Sequence, residues 1–310
     1  MEKKAFSELA KMVEAKKFVF TGELEPHRSI DLTEVKDWAT TLKKTGGITA
    51  ANVTDNPRSD SAISSLVAAY LIQRDTGLEC VYQLRVTDRN RLALVSDILG
   101  AGALGLHNIL ALAGDHTRVG TTPKAKPVFD LDSANLVDLI HRMVYEGKDL
   151  DGNEIAGPRP EINVGVAGGI MAEPLEMEVL KLKRKAKVGA DFIQTQAVFD
   201  ISLAVRYLKA VKEVGIPTLI GIFPPRSYGQ AEFFGKFVPG VVVPKEFLDD
   251  FKKMSEITDK AARKEKIKEY NVNYFVDFIK EIRKEGAAGC HIMAVGYPDP
   301  IGPIIAGAGK

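Results

Sequence analysis

The sequence predicts an α/β fold, a (β/α)8 TIM barrel with extra helices between its last two strands, and three observations lead there. Short β-rich runs recur eight times along the 310 residues, and amphipathic helical patterns separate them. No linker, low-complexity tract or shift in composition marks a second domain. Eight alternating units in a chain of this length suit one closed barrel better than two smaller sheets, so residues 1–310 read as a single barrel catalytic domain.

The first run is Phe18-Val19-Phe20-Thr21-Gly22-Glu23, whose aromatic and β-branched residues favour an extended backbone until Pro26 stops it. Further strands are expected at 48–53, 80–85 and 108–113, then at 162–167, 191–196, 217–222 and 290–295. Between the third and fourth, Leu92, Val95, Ile98 and Leu99 recur at helical spacing, with Gly100 as the expected closing residue. Two stretches exceed a minimal barrel. Residues 149–160 are turn-rich and predict a surface loop, and residues 229–285 carry the extra helices, including a charged one from about Asp259 to Lys284.

Composition removes several functions. Lys and Arg total 42 against 41 Asp and Glu, so nothing supports binding to nucleic acid. Cys80 and Cys290 are the only cysteines and form no CxxC, which argues against a disulfide framework and against a metal site built by this chain alone. The charged first residues do not resemble a signal peptide and no run reaches membrane-spanning length, so a cytoplasmic protein is expected. Gly100-Ala101-Gly102-Ala103-Leu104-Gly105 has the GxGxxG pattern but follows a helix and precedes a strand, the reverse of the dinucleotide-binding order. It reads as a helix-ending turn.

Several residues could carry chemistry at strand ends, where barrel active sites lie. Glu23 and Glu25, two apart, project from one strand mouth as proton-transfer groups or as solvated carboxylates. Gly114 and Asp115 follow the fourth strand, where glycine allows a ligand close to the backbone and Asp115 adds a fixed negative charge or caps a turn. His116 reads as a surface group, and His27, His107, His141 and His291 make no metal-binding spacing with it. Gln194, Thr195 and Gln196 put polar groups into an apolar strand, for a hydrogen-bonding heterocycle or for an internal network, with Gln196 the better ligand candidate. Arg184 and Lys185 stand together near a helix end, as a phosphate grip or a solvated face. Tyr228, after Pro224-Pro225, offers a ring to stack on a flat ligand or to pack its own loop.

Over roughly residues 16 to 295 these segments resemble the methylenetetrahydrofolate reductase family, flavin-dependent (β/α)8 enzymes of one-carbon metabolism. The resemblance rests on the order Glu-x-x-Pro, Val-Thr, Gly-Asp, Lys-Arg-Lys and Thr-Gln, and above all on residues 182–200. It implies reduction of 5,10-methylenetetrahydrofolate to 5-methyltetrahydrofolate, with Glu23 as general acid and Asp115 as the carboxylate near flavin and pterin. It implies Gln196 as a substrate amide contact and Tyr228 as a substrate-stacking ring. Thr54 and Gln83 fall beside the flavin, and Glu178, Arg184 and Lys185 match ribityl and phosphate contacts. Glu25 becomes a neighbour of the acid.

Departures cluster at the cofactor edges. Ala113 stands where the family often has the Arg of Arg-Gly-Asp, Gln83 replaces a His, Ala294-Val295-Gly296-Tyr297 lacks an Asn-Arg, and residues 167–170 lack an aromatic-Pro-Glu. The resemblance implies FAD, and these losses point to FMN as the alternative. They also point to electrons from an iron–sulfur or other redox partner subunit instead of NAD(P)H, in an oligomer. Two rival readings are a non-redox pterin-binding one-carbon transferase barrel and a flavin-bearing electron-relay subunit.

Overall fold

Eight parallel strands close into a barrel in strict sequence order in the computed structural model, which describes residues 3–238 and 240–309. They are β1 Val19–Leu24, β2 Ile48–Val53, β3 Glu79–Arg85, β4 Asn108–Leu112, β5 Asn163–Gly168, β6 Phe192–Ala197, β7 Thr218–Ile222 and β8 Gly289–Ile292. Each expected strand is present, and most ends agree within one or two residues. The eighth stops earlier than expected, because the chain turns at once: Tyr297 N–H donates to the Ala294 carbonyl and Gly296 adopts a left-handed φ of 68°. Gly100 also departs from expectation. It lies inside α4 (Arg91–Ala103), and Gly105, at φ 69°, makes the left-handed turn that follows.

The remaining helices are α1 Glu8–Glu14, α2 Thr33–Lys44, α3 Ser65–Thr76, α5 Ser133–His141, α6 Leu175–Lys187 and α7 Ile201–Val211. The extra segment between β7 and β8 holds α8 Tyr228–Phe237, α9 Lys245–Ser255 and α10 Lys260–Lys284, and α11 Ile301–Ala308 closes the ring. No helix among the described residues is long and apolar enough to cross a membrane.

Side-chain alternation divides the strands into an outer face, packed under the helices, and an inner face filling the barrel. The inner floor is apolar: Val19, Ala50, Val81, Leu110, Phe192 and Leu219 pack together, with Leu9 of α1 inserted among them from below. The start of α1, which carries Leu9, is tied to β3 and β5. Glu79 accepts hydrogen bonds from the Glu8 and Leu9 amides at 2.7 and 3.0 Å, and Asn163 accepts from Phe6 N–H at 2.8 Å. Truncating Leu9 would leave a cavity that the closed barrel cannot collapse into. Leu9→Ala is therefore expected to lower unfolding free energy by about 2–5 kcal/mol, read from a urea titration.

Candidate functional site

Above the apolar floor the inner face turns polar. Strand register sets Thr21 beside His291 and Glu23 beside Asn52. Gln83 follows Val81, and Gln194 follows Phe192, on the same inward face two residues nearer the C-terminal end. Among these groups, both amide atoms of Asn52, the hydroxyl of Thr54 and the carbonyl oxygen of Gln194 are buried without a hydrogen-bond partner in the protein. A buried polar atom left unpaired costs about 1–3 kcal/mol, so four at one mouth are more than packing requires.

The paired carboxylates of the first strand separate here. Glu23, 20% exposed, faces His291, whose Nε2 is 3.5 Å from its Oε2. Glu25 lies one residue beyond β1, with Oε1 3.6 Å from the Arg58 guanidinium. Burial pushes the Glu25 carboxyl above the usual carboxylate range, the Glu23 charge adds to this, and Arg58 opposes it. Thr54 is buried just past β2, and Gln83 is buried on β3.

A second group lines a cavity of about 430 Å³ between β5, β6 and α6, bounded by Gly168, Gly169, Glu178, Arg184, Lys185 and Gln196. Four of the sequence-expected residues, Glu178, Arg184, Lys185 and Gln196, meet in this cavity. Glu178 is buried and its carboxylate accepts from Gly169 N–H at 2.8 Å. Lys185 donates to the Ala167 carbonyl at 3.1 Å. Burial pushes its ammonium below the usual lysine range, with the Glu178 charge acting against this. Arg184 and Lys185 do not form a common grip. The Arg184 guanidinium is exposed and reaches across to Asp132 and Asn135 at 2.9 and 3.0 Å, fastening α6 to the start of α5. Gln196 is exposed at the cavity rim, whereas Thr195 is used internally, accepting from Gly221 N–H at 2.9 Å.

Other expectations change in detail. Asp115 is exposed, with its carbonyl held by the Ser59 hydroxyl at 2.7 Å. Gly114 has φ 81°, and a Cβ there would lie 2.4 Å from Thr87 Oγ1, so this position needs glycine for packing within the chain. His116 caps a short turn by accepting from Arg118 N–H, as a surface group would. Tyr228 opens α8 and packs half-buried against the core, its hydroxyl donating to Glu232 at 2.9 Å. The ring is held on its own helix.

Asn52 and His291 were missed as site residues. Asn52 left one signal, a polar residue inside the apolar run 48–53. His291 left none, because its meaning depends on a strand 268 positions away. A larger cavity, about 940 Å³, opens at the opposite end among Met12, Phe18, Gly47 and Arg283. Barrel chemistry belongs at the C-terminal ends of the strands, so size does not decide the site. No cluster suited to a metal ion exists among the described residues.

The chain matches the family model described as methylenetetrahydrofolate reductase over residues 8–308. It is 24% identical over 248 residues to a probable methylenetetrahydrofolate reductase (NADPH) of Caenorhabditis elegans, covering 78% of this chain and 33% of that protein. It is 27% identical over 249 residues to the 5,10-methylenetetrahydrofolate reductase of Salmonella typhimurium, covering 79% and 73%. The chain thus spans about a third of the length of the animal relative and nearly three-quarters of the bacterial one. A solved protein of Clostridium thermocellum, described as binding two copies of 5-methyl-5,6,7,8-tetrahydrofolic acid, superposes with TM-score 0.62 at 15% identity over 97% of each chain. A 2,3-dimethylmalate lyase superposes with TM-score 0.51 at 11% identity, covering 98% of this chain and 85% of that one. At such identities the likeness is one of fold.

Proposed function

Because this chain belongs to the methylenetetrahydrofolate reductase family, we propose that it reduces 5,10-methylenetetrahydrofolate to 5-methyltetrahydrofolate with a bound flavin, drawing electrons from NAD(P)H or from a redox partner subunit. The observation that carries the reading is the set of unpartnered buried atoms on Asn52, Thr54 and Gln194 at the mouth that holds Glu23. A hydrogen-bonding heterocycle would satisfy them.

The residues present fit a flavin. Lys185, half withdrawn from water and bonded to one carbonyl, suits a phosphate, and Glu178 in the same cavity suits ribityl hydroxyls. Arg184 supports the phosphate end from the rim, while Thr54 and Gln83 border the ring from β2 and β3. The family implies FAD, and Ala113, in place of an arginine, leaves FMN as the alternative. When bound and reduced, the flavin supplies the hydride.

The substrate's five-membered ring is a poor hydride acceptor until it opens. The Glu23 carboxyl gives its proton to N10 as the bond from N10 to the bridging carbon breaks, leaving an iminium at N5 whose carbon takes the hydride. Asp115 contributes negative charge that favours this cation. Gln196 contacts the pterin amide, and Tyr228 borders the substrate side with its ring. The catalytic unit is the whole barrel, residues 1–310.

The test is direct. The purified protein, reconstituted with FMN or FAD, is expected to show flavin absorbance, which is bleached by an electron donor and restored anaerobically by 5,10-methylenetetrahydrofolate. A colourless protein that takes up neither flavin overturns the reading, and extraction of the bound cofactor decides between the two. Bleaching by a partner subunit but not by NADH or NADPH assigns the donor.

A further inference from the structure

We propose that His291 is a positioning residue for Glu23, fixing which carboxyl oxygen carries the proton used on substrate. The inference rests on the reductase reading above. His291 is 1% exposed and stands between two residues of β1. Its Nδ1 is 2.9 Å from Thr21 Oγ1, and its Nε2 is 3.5 Å from Glu23 Oε2. Thr21 is itself fully buried, and its hydroxyl lies within hydrogen-bond reach of the imidazole.

The chemistry follows from that chain of contacts. With the Thr21 hydroxyl donating to Nδ1, the neutral ring carries its hydrogen on Nε2 and donates it toward Glu23 Oε2. Oε2 then acts as acceptor, and the acidic hydrogen of Glu23 sits on Oε1. Proton transfer breaks the Oε1–H bond, forms N10–H on substrate, and leaves a carboxylate whose Oε2 keeps the imidazole donor. No proton leaves His291. Strand register explains why this ring serves: Thr21 lies level with His291 between β1 and β8, which sets the imidazole beside the inward-facing residues of β1. The titratable groups near the acid are Glu25 on its own strand side and His291 on β8, and β2 offers the uncharged Asn52. Arg58, Asp60 and His27 surround Glu25.

The experiment compares His291→Leu, His291→Gln and Thr21→Val holoenzymes in the folate half-reaction, with reoxidation of pre-reduced flavin followed from pH 5.5 to 9. His291→Leu is expected to slow reoxidation about 10- to 100-fold, with flavin affinity unchanged. His291→Gln, which keeps an N–H at the same reach, is expected to recover most of the rate, and Thr21→Val to fall between. Wild-type rates and pH profile in His291→Leu overturn the proposal. Absence of folate-driven reoxidation in the wild type overturns instead the reductase reading on which it rests. A second readout needs no turnover: with ring nitrogens labelled, the His291 Nε2 signal is expected to shift in Glu23→Gln, and an unmoved signal removes the proposed contact.

Discussion

Glu23→Gln is expected to keep its flavin and lose folate reduction by about 10²- to 10⁴-fold, the range that a positioned general acid contributes. The replacement is nearly isosteric, and its carbonyl oxygen still accepts from His291, so the mouth keeps its shape. It has no acidic hydrogen to give N10, and the ring-opened cation does not form. Reduction of the flavin by an electron donor involves no such proton and should be unchanged. Stopped-flow measurement of the two half-reactions separates them. Glu25→Gln is the control, because Glu25 faces Arg58 and lies outside the contact to His291. Wild-type folate reoxidation in Glu23→Gln would remove the assignment of the acid.

Lys185→Met is expected to weaken flavin binding by about 10- to 100-fold, the equivalent of one charge-assisted hydrogen bond of about 1.5–3 kcal/mol. Methionine matches the length of the stem and fills the same channel beside Ala167. The unliganded protein should melt at an unchanged or higher temperature, because burial disfavours the Lys185 ammonium more than the Glu178 charge favours it. The same burial sets the sign of a pH effect. Lys185 in the free protein loses its proton below the usual lysine range, whereas an anionic phosphate beside it favours the charged form. Binding is then coupled to proton uptake, so flavin affinity in the wild type should fall as pH rises toward the ordinary lysine range. In Lys185→Met that part of the pH dependence should vanish. Calorimetric titration with FMN and FAD across pH measures both effects. Lys187→Met, on the exposed side of the same helix, is the control.

The barrel could be read from the chain because each β/α unit announces itself locally. Residues 48–53 and 217–222 show their strand character within six positions, and the charged helix expected from about Asp259 appears as α10, starting at Lys260. The Gly100–Gly105 segment reads as a helix-ending turn from its order relative to helix and strand, and the structure has that turn at Gly105, with the helix running past Gly100. Site residues were less accessible to such reasoning. Arg184 and Lys185 are adjacent in sequence, yet one fastens α6 to α5 and the other turns under the strand ends. Gly114 was expected to make room for a ligand, and the space it leaves is taken by Thr87 and Arg85. Neither outcome has a local cause.

The sequence alone therefore determined the fold class, the order of its elements and the strand-end positions from which Glu23, Asp115 and Gln196 project. These follow from hydrophobic period and backbone preference, which act over a few residues. Tertiary structure alone decided what each polar group meets. Closure of the barrel brings β8 against β1, so that His291 lies between Thr21 and Glu23, and it leaves the Asn52 amide buried without a partner. Hydrogen bonding and desolvation act over a few ångströms in space regardless of separation along the chain, and only the closed barrel sets those distances.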